Sequence, residues 1–167
     1  MQIGLISDNH GYFGEEIFEN LQDCVEIWHA GDIGSFESIE PFQKTATFRA
    51  VYGNIDDKDM RMTFPLVNVF ECEGLKVMMT HIGGYPGRYN PKIYPILLVE
   101  KPNIFIAGHS HICKVIPDKK LQLLHLNPGA YGHHGFHIVR TILKFKIANA
   151  KVTDMNVIEL GLRGRIK

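Results

Sequence analysis

The chain has 167 residues, of which 45% are apolar and 22% charged, and its 18 Lys plus Arg balance 18 Asp plus Glu. A chain of this length can bury roughly 70% of its unfolded surface, so one domain over residues 1–167 is expected, and the composition argues against disorder or a membrane span. The charge balance argues against bulk nucleic-acid binding, and Cys24, Cys72 and Cys113, odd in number and without a CxxC pair, argue against a disulfide framework and fit a cytoplasmic protein.

Met1 to Asp8 carries neither a basic leader nor an apolar stretch long enough for export, and Ile3 to Ser7 reads as a buried first strand. Ile17, Phe18 and Leu21 then fall at helical spacing within Glu15 to Gln22. The strand–turn–helix pattern repeats: Val25 to Ala30 predicts a strand ended by Gly31-Asp32, and Phe36 to Phe42 a short helix. Thr47 to Tyr52 predicts a third strand, ended by Gly53-Asn54. Phe64 to Glu71 and Leu75 to Thr80 predict an antiparallel hairpin. Pro91 to Glu100 predicts a helix in which Pro95 is the discordant residue. Asn103 to Ala107 predicts a strand before Gly108-His109-Ser110-His111. Val115-Ile116 with Leu121 to Leu126, and Thr141 to Ile147 with Lys151 to Leu160, predict two more hairpins.

Ligands in open α/β sheets gather beyond the carboxyl ends of strands. Asp8-Asn9-His10, Gly31-Asp32, Gly53-Asn54, His81 and Gly108-His109-Ser110-His111 each follow an apolar run, and together they are far more specific than any one of them. Imidazole nitrogens mixed with carboxylate and amide oxygens suit borderline divalent ions such as Mn, Fe, Zn or Ni better than Ca.

With Ser7-Asp8-Asn9-His10-Gly11, His29-Ala30-Gly31-Asp32-Ile33, Gly53-Asn54-Ile55-Asp56, Thr80-His81, Gly108-His109-Ser110-His111 and Asn127-Pro128-Gly129 in this order, the chain resembles the calcineurin-like metallophosphoesterases, particularly the small YfcE-type phosphodiesterases. The resemblance implies an α/β sandwich of two mixed β-sheets flanked by helices. It also implies two divalent metal ions, with Mn the first choice and Mg also to be weighed. Asp8, His10 and His111 would hold the first ion and Asn54, His81 and His109 the second, with Asp32 bridging both. Asp32, Asn54 and His81 are the residues expected to act in catalysis. The implied reaction is hydrolysis of a small phosphodiester by a hydroxide shared between the ions. Phosphomonoester hydrolysis is an alternative, as is a non-catalytic scaffold of the kind found in the retromer, although retention of all seven ligand types favours catalysis.

Many larger relatives carry a proton-donating His directly after the metal-binding Asn; here that residue is Ile55. His133 and His134 are candidate substitutes at the site rim, or else solvated residues of a glycine-rich loop. Arg88, in Gly83 to Tyr89, is a candidate rim residue for a substrate phosphate, or part of a surface connection. Asp56 is expected to support the ligand shell and His29 to pack inward. The natural substrate and any assembly of identical chains stay open.

Overall fold

In the computed structural model, which describes residues 1–164, ten of the strands form two five-stranded sheets. Positions 165–167 of the expected single domain lie outside the described residues. The first sheet begins with β1 (Gln2–Ile6), β2 (Glu26–His29) and β3 (Thr47–Ala50), which run parallel, with α1 (Glu15–Leu21) and α2 (Glu40–Thr45) in the crossovers. After β3 come α3 (Lys58–Thr63) and the antiparallel hairpin β4 (Val67–Cys72) and β5 (Leu75–Thr80) of the second sheet. A small hairpin, β6 (Gly84–Tyr85) and β7 (Arg88–Tyr89), leads to α4 (Tyr94–Glu100) and β8 (Ile104–Ile106). Next are β9 (Cys113–Asp118) and β10 (Leu123–Pro128), and the chain returns to the first sheet through β11 (Val139–Ala148) and β12 (Lys151–Leu162). The strand orders are β12-β11-β1-β2-β3 and β4-β5-β8-β10-β9. Parallel and antiparallel pairs occur in both, so each sheet is mixed, as the resemblance implied.

Side-chain alternation along a strand explains the layers. Ile3 and Leu5 of β1 point into the core between the sheets, where they meet Val77 and Met79 of β5 and Ile104 and Ile106 of β8. The intervening residues face outward: Ile6 packs with Ile17 and Leu21 of α1, and Met78 and Phe105 pack with Leu97 of α4. Central strands are therefore covered on both faces, which is why they read as unbroken apolar runs. Trp28, fully buried between the sheets, donates from Nε1 to Glu26 Oε2 at 2.7 Å, and Arg49 completes the pairing of that buried carboxylate from Nε at 2.8 Å.

Two local expectations are corrected, and one helix is added. The second helix starts at Glu40 rather than Phe36, because Pro41 in its first turn is compatible only with a helix start. For the same reason Pro95 opens α4 instead of interrupting it, and Pro91 lies outside that helix. The sequence reading passed over α3, which is initiated by Asp57 accepting a hydrogen bond from Met60 N at 2.9 Å. Among the described residues no helix is long and apolar enough to cross a membrane.

Candidate metal centre

The loops beyond the carboxyl ends of β1, β2 and β3 in one sheet, and of β5 and β8 in the other, come together at one end of the sandwich. Asp8 and His10 follow β1, Asp32 follows β2, His81 follows β5, and His109 and His111 follow β8. Their ligand atoms form two groups, Asp8–His10–His111 and Asp32–His81–His109, each with all its ligand atoms within 4.8 Å of one another. Asn54, after β3, shares a hollow of about 350 Å³ with His10, Asp32, His109 and His111.

Asp32 spans the two groups. Its Oδ1 lies 3.2 Å from His81 Nε2, and its Oδ2 lies 3.6 Å from His10 Nε2. Asp8 is divided similarly: Oδ2 accepts from Ser7 Oγ at 2.5 Å and from His109 N at 3.1 Å, leaving Oδ1 to face His111 Nε2 at 3.2 Å and His81 Nε2 at 3.8 Å.

Whether these residues fit a cation can be judged from their unpaired atoms. Asp8 Oδ1, His10 Nε2 and His81 Nε2 are buried without a hydrogen-bond partner among the described residues. His81 Nδ1 is 2.7 Å from the Ala30 carbonyl, which can only accept, so that nitrogen carries the proton and a neutral ring leaves a lone pair on Nε2. A lone pair aimed at two carboxylates is repulsive unless positive charge sits between them. Without a metal, a proton serves: burial pulls the His81 pKa down, but Asp32 and Asp8 outweigh it and raise it above its ordinary value. His10 and His109 are held below theirs, chiefly by burial, which keeps their nitrogens free to ligate. The donor set fits divalent ions of the nitrogen- and oxygen-binding kind.

Backbone conformation is concentrated here as well. Asp8, His10, Asp32, His109 and His111 all have φ between 50° and 65°, in the left-handed region that non-glycine residues seldom occupy. Such strain persists where surrounding contacts enforce it. Asp56 supplies some of them, accepting from Gly34 N at 2.8 Å and Gly53 N at 2.7 Å and so clamping the Asp32 and Asn54 turns together. His29 bonds Asn9 Oδ1 through Nε2 at 2.9 Å and accepts from Gly31 N at 3.1 Å, tying the Asp8–His10 turn to Asp32; burial pushes it down to about 4. Asn127 Nδ2 donates to Gly108 O at 2.9 Å and Ser110 Oγ at 3.1 Å, bracing the turn that carries His109 and His111. Gly31, at φ 94°, has no room for a Cβ against the His81 ring.

The rim residues separate. His134 stacks on His10 with ring centroids 5.3 Å apart. His133 turns away, with Nδ1 against the Arg163 carbonyl and its ring edge-on to Tyr12. Arg88 lines a different hollow, with Tyr94, Asp118 and Lys120. Three residues that the sequence reading did not single out border the site. Phe136, fully exposed, lines the same hollow as His10 and Asn54. Arg61 donates to the carbonyls of Asp56 at 2.7 Å and Asn54 at 2.9 Å. His137 contacts His111 with their Nδ1 atoms 3.2 Å apart. No motif marked these positions: Phe136 and His137 reach the site through tertiary packing, and Arg61 from α3, directly after the Asn54 turn.

A two-sheet sandwich carrying nitrogen and oxygen donors at converging strand ends defines a fold with a candidate metal-binding end. The chain belongs to the calcineurin-like phosphoesterase superfamily, whose domain profile matches residues 1–150. A probable metallophosphoesterase of Methanothermobacter thermautotrophicus is 29% identical over 137 residues, covering 78% of this chain and 77% of the relative. Zinc-complexed wild-type Vps29 of Entamoeba histolytica has the same fold, with a TM-score of 0.73 at 15% identity over 95% of this chain and 99% of that one. A structure described as a novel archaeal phosphodiesterase matches with a TM-score of 0.71 at 21% identity, over 96% and 100% of the two chains. Family membership supports hydrolysis of phosphoester bonds and implies divalent metal ions.

Proposed function

We propose that this chain is a binuclear phosphodiesterase acting on a small diester. Asp8, His10 and His111 would hold one ion and Asn54, His81 and His109 the other, with Asp32 contributing an oxygen to each. The observation that carries this reading is the pair of ligand groups with Asp32 between them, one oxygen toward His81 and the other toward His10. Divalent ions bound there supply Lewis-acid activation of water and offset negative charge at a phosphoryl group.

The protein's own groups do the positioning. Asp8 and Asp32 provide the negative charge that retains cations, and the neutral imidazoles provide directional lone pairs. Asn54 offers an amide oxygen as ligand and an amide N–H₂ as donor to a phosphate oxygen, a combination a carboxylate lacks. Asn54 and His81 also line a second cleft of about 370 Å³, whose walls include Tyr52 and the cations Arg61 and Lys92. That cleft suits one organic arm of an anionic substrate, and the exposed Phe136 ring offers an apolar surface for the other. Diesters with acidic leaving groups are favoured because Ile55 has no proton to give a poor leaving group. Manganese is the first ion to test, ahead of Fe, Zn, Ni and Mg.

The test is a metal-by-substrate screen on purified protein, with bis(p-nitrophenyl) phosphate and p-nitrophenyl phosphate as matched chromogens and Asp32→Asn as the control. Turnover of the diester with Mn²⁺, depressed at least ~100-fold in Asp32→Asn, is the expected result. Monoester turnover alone would reassign the substrate. Metal-replete protein inert to both would favour the scaffold reading.

A further inference from the structure

We infer that His137 is a positioning residue that fixes the ring tautomer of His111, and thereby turns the His111 Nε2 lone pair toward Asp8 and the first metal group. The inference rests on the metal-centre reading above and concerns a residue outside its ligand set.

A chain of hydrogen bonds carries the argument. His137 Nε2 lies 3.0 Å from the Gly132 carbonyl. A carbonyl can only accept, so this nitrogen bears a hydrogen. In a neutral ring, His137 Nδ1 is then the acceptor, and it lies 3.2 Å from His111 Nδ1. The hydrogen between the two rings therefore belongs to His111 Nδ1, and His111 Nε2, 3.2 Å from Asp8 Oδ1, is left with a lone pair. The opposite arrangement needs a second proton on His137.

The loop's construction supports the role. It is tied to the Asp8 turn where Tyr131 N donates to Ser7 O at 3.2 Å and Gly132 N to Asp8 O at 3.3 Å. It then folds over His111 so closely that Gly135, at φ 114°, has no room for a Cβ against the imidazole. His137 thus reaches His111 from a segment already fastened to the same ligand turn. The role is the one that carboxylates and backbone carbonyls fill behind many metal-bound imidazoles, supplied here by a second imidazole.

The experiment compares wild type with His137→Phe, which keeps a ring but has no acceptor, and His137→Gln, whose amide oxygen can accept. Histidine ¹⁵N chemical shifts in metal-free protein above pH 7.5 read the tautomer directly. Equilibrium dialysis with Mn²⁺ and Zn²⁺ reads affinity. Wild type and His137→Gln should show His111 protonated on Nδ1. His137→Phe should shift it toward Nε2–H and weaken one of two bound ions roughly 10–100-fold, while staying folded in the absence of metal. Either a wild-type His111 protonated on Nε2 alone, or a folded His137→Phe that keeps both the tautomer and the affinity, overturns the inference. If wild type binds no ion, the metal-centre reading falls, while the ¹⁵N spectrum still decides the tautomer.

Discussion

A departing alkoxide needs a proton far more than a departing phenolate does. Ile55 cannot provide one, but His134 stacks directly over His10 at the edge of the ligand cluster. His134→Ala should therefore leave turnover of an aryl diester within about threefold and lower that of an alkyl diester by roughly 100-fold, the scale of a lost general acid. His133→Ala should change neither. Steady-state rates on the two substrates check both. A second residue-scale prediction concerns His125, which is fully buried, with neither ring nitrogen hydrogen-bonded among the described residues. Burial, with Lys114 adding to it, pushes its pKa from 6.5 down to about 4. Between those values the unfolded chain holds more protons, so the stabilisation is full above pH 6.5 and lost as pH falls toward 4. The loss is at most about 3 kcal/mol. Urea unfolding at pH 7.5 and 4.5 should show a smaller acid penalty in His125→Leu than in wild type. The residues proposed as ligands were legible as a group in the sequence because each one sits in a short fragment after an apolar run. His137 was not, because nothing in Gly135-Phe136-His137 shows that the loop folds back onto His111.

Among the elements, the parallel strands and their crossovers were legible because continuous apolar runs mark strands covered on both sides. Boundaries moved where one residue set them locally, as Pro41 and Pro95 do at helix starts. The helix α3 was hidden because six polar and methionine-rich residues give little apolar period, and its start depends on the Asp57 cap. The β11–β12 hairpin turns through Asn149 and Ala150 at φ 50° and 55°. Two positive φ values make the turn whose twist matches its strands, but alanine pays for that conformation with its Cβ. Ala150→Gly should raise stability by about 1 kcal/mol. Differential urea denaturation at neutral pH measures that gain, and metal affinity should be unchanged because the turn lies at β11–β12, outside the ligand loops.

For the molecule as a whole, we propose that the two sheets form a single cooperative unit, since Trp28, Phe145, Val77 and Ile106 belong to one apolar cluster contributed by both. Calorimetry should give one transition whose calorimetric and van't Hoff enthalpies agree. An ion present at a hundred times its Kd should raise the midpoint by roughly 5–10 °C, and a chelator should reverse the rise. Two resolved transitions, or a midpoint indifferent to metal, would count against cooperativity and metal binding respectively. Asp8 and Asp32 are carried by one sheet, His81, His109 and His111 by the other. A cation held among them is therefore also a clasp across the open end of the sandwich. Stripping it should loosen that end first, so deuterium uptake should quicken in the loops after β1, β2, β5 and β8 while the strand centres behind them stay protected.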